Sequence, residues 1–114
     1  GSPSMNLLRI KDGEGWTLGP QTYLPPNAAT LGIRPESITL AEPGTLSAGF
    51  EAAVRIAAVE LVGAESYVHG ALANSAPLVF RVPGRSRIEI GDLLTVRADP
   101  SSFHFFDDGG VRRD

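Results

Sequence analysis

The 114-residue chain contains no cysteine, which removes disulfides and thiolate metal sites at once and fits a reducing compartment. Basic charge is sparse as well. Ten Lys and Arg stand against thirteen Asp and Glu, a net −3 at pH 7. Modules that bind a phosphate backbone carry a basic face, and those that stack bases add aromatics to it. With this balance and only one Trp, two Tyr and five Phe, no nucleic-acid partner is expected. Long apolar runs are also missing. The longest uncharged stretch, Gly15 to Ile33, is broken by Pro20, Pro25, Pro26 and Asn27, so it cannot span a membrane, and a soluble chain is the expectation. The start shows neither the basic nor the apolar region of a signal peptide. No Gly-x-x-x-x-Gly-Lys-Ser/Thr occurs, so nothing cradles a triphosphate in the P-loop manner. No Gly-x-Ser-x-Gly elbow supports a hydrolase triad.

What is present is punctuation. Thirteen glycines and nine prolines cut the chain into short pieces, the pattern of one small all-β domain with a core able to fold alone. Asn6 to Lys11 and Trp16 to Leu18 flank Asp12-Gly13-Glu14-Gly15, a hairpin pattern. Trp16 reads as an exposed or half-buried strand residue without a functional role. Leu24-Pro25-Pro26-Asn27 is a polyproline-like loop. Thr30 to Arg34 is a strand. Pro35 fixes its own φ and holds Arg34 extended, so Arg34-Pro35-Glu36 forms a charged turn. Ile38 to Leu40 resumes extended structure before the Ala41-Glu42-Pro43-Gly44 turn. Ser66 to Leu72 and Pro77 to Val82 are strands around Asn74-Ser75, followed by the Val82-Pro83-Gly84-Arg85 turn. Leu93 to Ala98 is a strand closed by Asp99-Pro100. Phe103 to Phe106, Asp107-Asp108-Gly109-Gly110 and Val111 to Arg113 make a terminal hairpin. Phe50 to Val62 supports two patterns. Phe50, Ala52, Val54, Ile56 and Ala58 alternate as in a half-buried strand, whereas Phe50, Ala53, Val54, Ala57, Ala58 and Leu61 fit an amphipathic helix. The lack of a good cap at Ala48-Gly49 leans toward strand.

Few residues suggest chemistry. His69 and His104 have no second ligand at helical or hairpin spacing, so both read as strand residues rather than metal ligands or general bases. Arg81, Arg85 and Arg87 surround the Pro83-Gly84 turn. Their guanidinium forks suit an oxyanion, but such a charge run reads first as a solvated loop tip. Phe103 and Phe105 share one strand face, His104 and Phe106 the other. An aromatic ring therefore falls on a face that should meet solvent, and Phe106 either tucks under the following turn or packs against a partner. Glu60 and Glu65 bracket Val62-Gly63-Ala64, with no third group converging for acid–base work. No catalytic residue, cofactor site or metal site is expected.

In order and spacing, Gly32-Ile33-Arg34-Pro35-Glu36, Val59-Glu60-Leu61-Val62-Gly63-Ala64-Glu65 and Phe106-Asp107 resemble the C-terminal accessory domain of ATP-binding subunits of carbohydrate-importing ABC transporters, the family of the maltose and glycerol-phosphate importers. The opening Gly1-Ser2-Pro3-Ser4-Met5-Asn6 is similar to the segment that joins the ATPase and accessory domains there, and reads as native sequence. The likeness runs from Gly1 to Arg112. It implies an OB-like small β-barrel of the TOBE or molybdate-module (MOP) type over residues 1–114, abbreviated between Gly15 and Thr30 where the chain is short and Pro-rich. It implies a C-terminal regulatory domain whose N-terminal ATPase domain is absent from this chain. The fragment then has no enzymatic activity, and ATP and magnesium belong to the missing domain. The implied role is regulatory and dimer-stabilising, in a cytoplasmic protein peripheral at the inner membrane, with sugars, polyols or glycerol phosphate as cargo. The implied partners are a second copy of the same subunit, the membrane-spanning subunits reached through the ATPase domain and, in some members, a regulatory protein. Glu60, Gly63 and Glu65 fall on the family's Glu-x-x-Gly-x-Glu segment, where such contacts occur. Phe106 joins them as the expected interface, and Arg34, Pro35 and Glu36 are the structural motif. The alternative is a stand-alone molybdate-like oxyanion module using Arg81, Arg85 and Arg87, although the Ser-Ala-Arg-Asn-type start of that family is missing.

Overall fold

The computed structural model describes residues 4–13 and 15–113; Gly1-Ser2-Pro3 of the joining segment and Glu14 of the expected first turn lie outside them. Of the two patterns open for Phe50–Val62, the strand is realised. Phe50, Ala52, Val54 and Ile56 are buried while Ala53 and Arg55 face solvent, and the whole segment is one strand of 13 residues. No α-helix occurs among the described residues, and the domain is all-β. In chain order its strands are β1 (Asn6–Arg9), β2 (Trp16–Leu18), β3 (Thr30–Ile33), β4 (Thr39–Leu40), β5 (Phe50–Val62), β6 (Glu65–Ala71), β7 (Pro77–Pro83), β8 (Leu93–Ala98) and β9 (His104–Phe106). Between Leu18 and Thr30 there is no strand, in line with an abbreviated start.

The strands form a three-stranded sheet, β1-β3-β9, and a larger sheet, β4-β8-β5-β6-β7, with β2 laid beside β5. The long β5 is the spine of the larger sheet. Its first half pairs with β8 along one edge, Phe50↔Ala98 to Arg55↔Leu93, and with β2 along the other. Its second half pairs with β6, ending at Val62↔Glu65. Ile56 faces Gly70 and Ala58 faces His69, so Ala57 is an extra, bulged residue. The bulge inverts the side-chain phase, and beyond it Val59, not Ala58, packs against the core. Phe50, Phe80, Leu31, Ile33 and Ile38 fill that core and are fully buried, so both sheets contribute to one interior.

The arrangement is OB-like, but the sheets do not close into a continuous barrel. One side chain bridges them. Asn6, on β1, donates from Nδ2 to the Ile33 carbonyl at 3.0 Å and to the Val79 carbonyl at 2.8 Å, while its Oδ1 accepts from the Val79 N–H at 2.8 Å. For Val79, on the outer strand of the larger sheet, the amide does what the peptide of a neighbouring strand would do.

Three local expectations are corrected. The hairpin read around Asp12-Gly13-Glu14-Gly15 does not form, because β1 pairs with β3 and β2 with β5. Ile10–Asp12 is a single 3-10 turn that leaves the strand, and the hydrophobic partners of both arms lie far away in sequence. Trp16 is buried, with its ring 5.8 Å from that of Phe50. The terminal hairpin is reduced to one bridge, Phe106↔Arg112.

Candidate interaction site

At its far end β5 turns into β6, which β7 flanks on its other side, and on this ribbon Glu60, Leu61, Val62, Gly63 and Ala64 are all exposed. Leu61 and Val62 each leave 47% of their surface in solvent. The ribbon turns within Gly63-Ala64, between the paired Val62 and Glu65. Only the first central residue has a positive φ, +62°, as in a type II′ turn, and glycine adopts it without cost. A Cβ on Gly63 would meet nothing within 4 Å, so the demand on this position is conformational, not steric. The root of the tip is pinned. The Ser66 hydroxyl donates to the Gly84 carbonyl at 2.6 Å, and the Gly84 N–H donates to the Ala64 carbonyl at 2.7 Å.

Both carboxylates expected here lie on the ribbon. Glu60 Oε1 is 3.8 Å from His69 Nε2, and Glu65 Oε2 is 4.0 Å from Arg81 Nε. Both contacts are long and solvent-facing, and the Glu65–Arg81 ion pair is worth about 0–1 kcal/mol. Phe106 is not brought to the ribbon. It lies in the other sheet, paired with Thr30, half-buried beside Gly32. A Cβ on Gly32 would run into the Met5 sulfur and come within 3.1 Å of the Phe106 ring, so the missing side chain makes room for both. Arg34-Pro35-Glu36 opens a 3-10 turn, Pro35–Ser37, linking β3 to β4. Pro35 is buried, and the Arg34 and Glu36 side chains are exposed.

Elsewhere among the described residues no chemistry converges. Arg81 faces Glu65, while Arg85 and Arg87 are exposed, so the three guanidinium groups form no common cradle. No group of three or more His, Cys, Asp or Glu able to hold a metal occurs among the described residues. His69 faces Glu60, and His104 is in contact with Arg112. An open groove beside Trp16 is lined by Thr17, Pro43, Glu51, Ala53 and Thr95; its one carboxylate, Glu51, is already bound by Arg97 at 2.7 Å. Within the described residues no helix is long and apolar enough to cross a membrane.

Two residues with structural work escaped the reading of the chain. Asn6 reads from the sequence as the end of the joining segment and the start of the first strand, with no sign of its bridging amide. Asp107 accepts from the Gly109 and Val111 N–H groups at 3.0 and 2.9 Å and from the Arg113 guanidinium at 2.9 Å. Chiefly the Val111 bond, with Arg113 helping, holds its carboxyl below the ordinary value. The Asp-x-Gly-Gly spacing is the signal that could have found it.

The described residues thus form a small all-β, OB-like module. The chain belongs to the TOBE domain family, whose model matches residues 31–106. Its sequence is similar to three ATP-binding proteins of import systems. It is 51% identical to the sn-glycerol-3-phosphate import ATP-binding protein UgpC 3 of Agrobacterium fabrum over 98% of this chain and 33% of that protein. It is 54% identical to the sn-glycerol-3-phosphate import ATP-binding protein UgpC of Rhizobium meliloti, over 98% and 32%. It is 49% identical to the protein of the same name from Brucella abortus biovar 1, again over 98% and 32%. The chain spans about a third of the length of the curated relatives it matches.

Proposed function

We propose that this chain is the non-catalytic C-terminal accessory domain of the ATP-binding subunit of an ABC importer for glycerol phosphate or a related small polar cargo, and that it holds two such subunits together. The observation that carries the reading is 49–54% identity over 98% of the chain to proteins named as import ATP-binding proteins, on a fold with no P-loop of its own. ATP and magnesium then act in the part of the subunit outside this chain. That part also meets the membrane-spanning subunits, and the domain works at the cytoplasmic face of the membrane.

The physical role follows from tethering. Two accessory domains that touch keep the attached ATP-binding parts at high effective concentration, even when those parts separate between turnovers. The contact is isologous, the same patch meeting itself across a two-fold axis. The exposed ribbon with Glu60, Gly63 and Glu65 is one part of the contact surface. Phe106 belongs to a separate face, open to another subunit or to a regulator. The test is sedimentation of the parent subunit without nucleotide, with and without this domain. The intact subunit is expected to stay dimeric and the truncated one to fall to monomer. A truncated subunit that stays dimeric contradicts the holding role.

A further inference from the structure

We propose that the dent above Gly32, on the outer face of the small sheet, is an intramolecular binding site for the joining segment. It seats Met5 and so fixes how the preceding part of the protein is attached to this domain. Gly32 lies on the central strand of that sheet, opposite Leu7 of β1 and His104 of β9. Side chains alternate between the faces of a strand, so Leu8, Leu31 and Phe105 line the core while Leu7, Gly32 and Phe106 belong to the outer face. A glycine here leaves a space one side chain wide. Met5 enters it from the β1 side and Phe106 from the β9 side, and the sulfur and the ring edge converge on the place a Cβ would take. A thioether against an aromatic edge is a favourable contact. Both residues are half-buried, whereas Leu7 on the same face is 62% exposed, so the burial belongs to this seat and not to the face as a whole.

The next residue makes the anchor a double one. Met5 turns to the outer face, and Asn6 turns inward, where its amide holds Ile33 of the small sheet and Val79 of the large one. Two successive side chains therefore grip opposite faces of the small sheet, and the second reaches the other sheet as well. Strand pairing does not place Met5, because the register of β1 with β3 begins at Asn6↔Ile33. The seat at Gly32 carries the fixed structure one residue further. Glycine inside a strand forfeits packing and conformational entropy, and it often marks a close approach of another group. Met5 and Phe106 are what approaches here. One edge of the Phe106 ring is thus taken by its own chain, which leaves its outer surface to another subunit. That the anchor passes movement of an ATP-binding part on to both sheets rests on the reading proposed above.

The chain has one methionine and no cysteine, so Met5 holds its only sulfur. Hydrogen peroxide converts the thioether to a sulfoxide, and the rate of that single oxygen uptake, read by mass, reports how firmly Met5 is seated. The wild-type rate is expected to be several-fold below that of N-acetylmethionine amide. Gly32→Ala puts a Cβ where the sulfur lies, and Phe106→Ala removes the other wall of the seat. Each should bring the rate close to that of the free amino-acid derivative, while Tyr23→Ala, at an exposed position elsewhere, should leave it unchanged. Trp16 fluorescence shows that a variant keeps the native core, and Phe106→Ala decides if Gly32→Ala does not fold. A wild-type rate equal to the free one, or slow oxidation that Phe106→Ala does not speed, overturns the seat. The two readings fail separately, since the seat is judged on this chain alone and the ATP-binding reading on the gene upstream of Gly1.

Discussion

Asn6 is 7% exposed, and its amide is fully engaged by Ile33 and Val79. Replacing it by alanine leaves two carbonyls and one N–H at the join between the sheets without that partner, at a cost of about 1–3 kcal/mol. Urea denaturation of Asn6→Ala should show a loss of that order, and unchanged stability would contradict the bridging role. Asn6→Asp should do no better, because a carboxylate oxygen would face the two carbonyls that Nδ2 now serves. Gly63 makes a different demand. With φ at +62° and open space around it, Gly63→Ala should cost about 1–2 kcal/mol through backbone strain alone, and Gly63→Asn less. Equal losses for the two replacements, read from thermal melts, would show that something other than φ is at work there.

At the level of elements, β5 shows what could be read from the chain and what could not. The alternation of Phe50, Ala52, Val54 and Ile56 was legible, since each apolar side chain points inward. The bulge was not, because Ala57 and Ala58 are both small and nothing in their identity marks where the phase inverts. The failed first hairpin has a related cause. Asp12-Gly13 is a strong local turn signal, but Leu8 and Trp16 find their partners in β3 and β5, and burial outweighed proximity. Asn6 could not be recognised at all without knowing which strand ends the larger sheet. Of the candidate site, the Glu60–Glu65 segment was legible as a unit, whereas the distance of Phe106 from it in the topology was not. The C-terminal element gives a pH prediction. Asp107 is held below its ordinary value of 3.8 mainly by the Val111 N–H, so its stabilising effect is fully present above that value and is lost as pH falls through the lowered one. Below about pH 4, hydrogen exchange at Val111 and Arg113 should rise before exchange in β5. Asp107→Asn should show the rapid exchange at neutral pH, and simultaneous loss of protection in β5 would contradict a local role.

Over the whole molecule, the two sheets share one interior, since Leu31 and Phe105 of the small sheet pack in the same cluster as Phe50 and Phe80 of the large one. Neither sheet has a core of its own. Unfolding should therefore be a single transition, with Trp16 fluorescence and backbone circular dichroism coincident in urea. Separate midpoints would mean that the sheets fold independently. The central claim is that this domain serves an attached ATP-binding part, and the most direct measurement is to read the gene upstream of the Gly1 codon. An in-frame ATP-binding domain with a P-loop is the predicted result. A start codon at or near Met5 with no such domain before it would contradict the account.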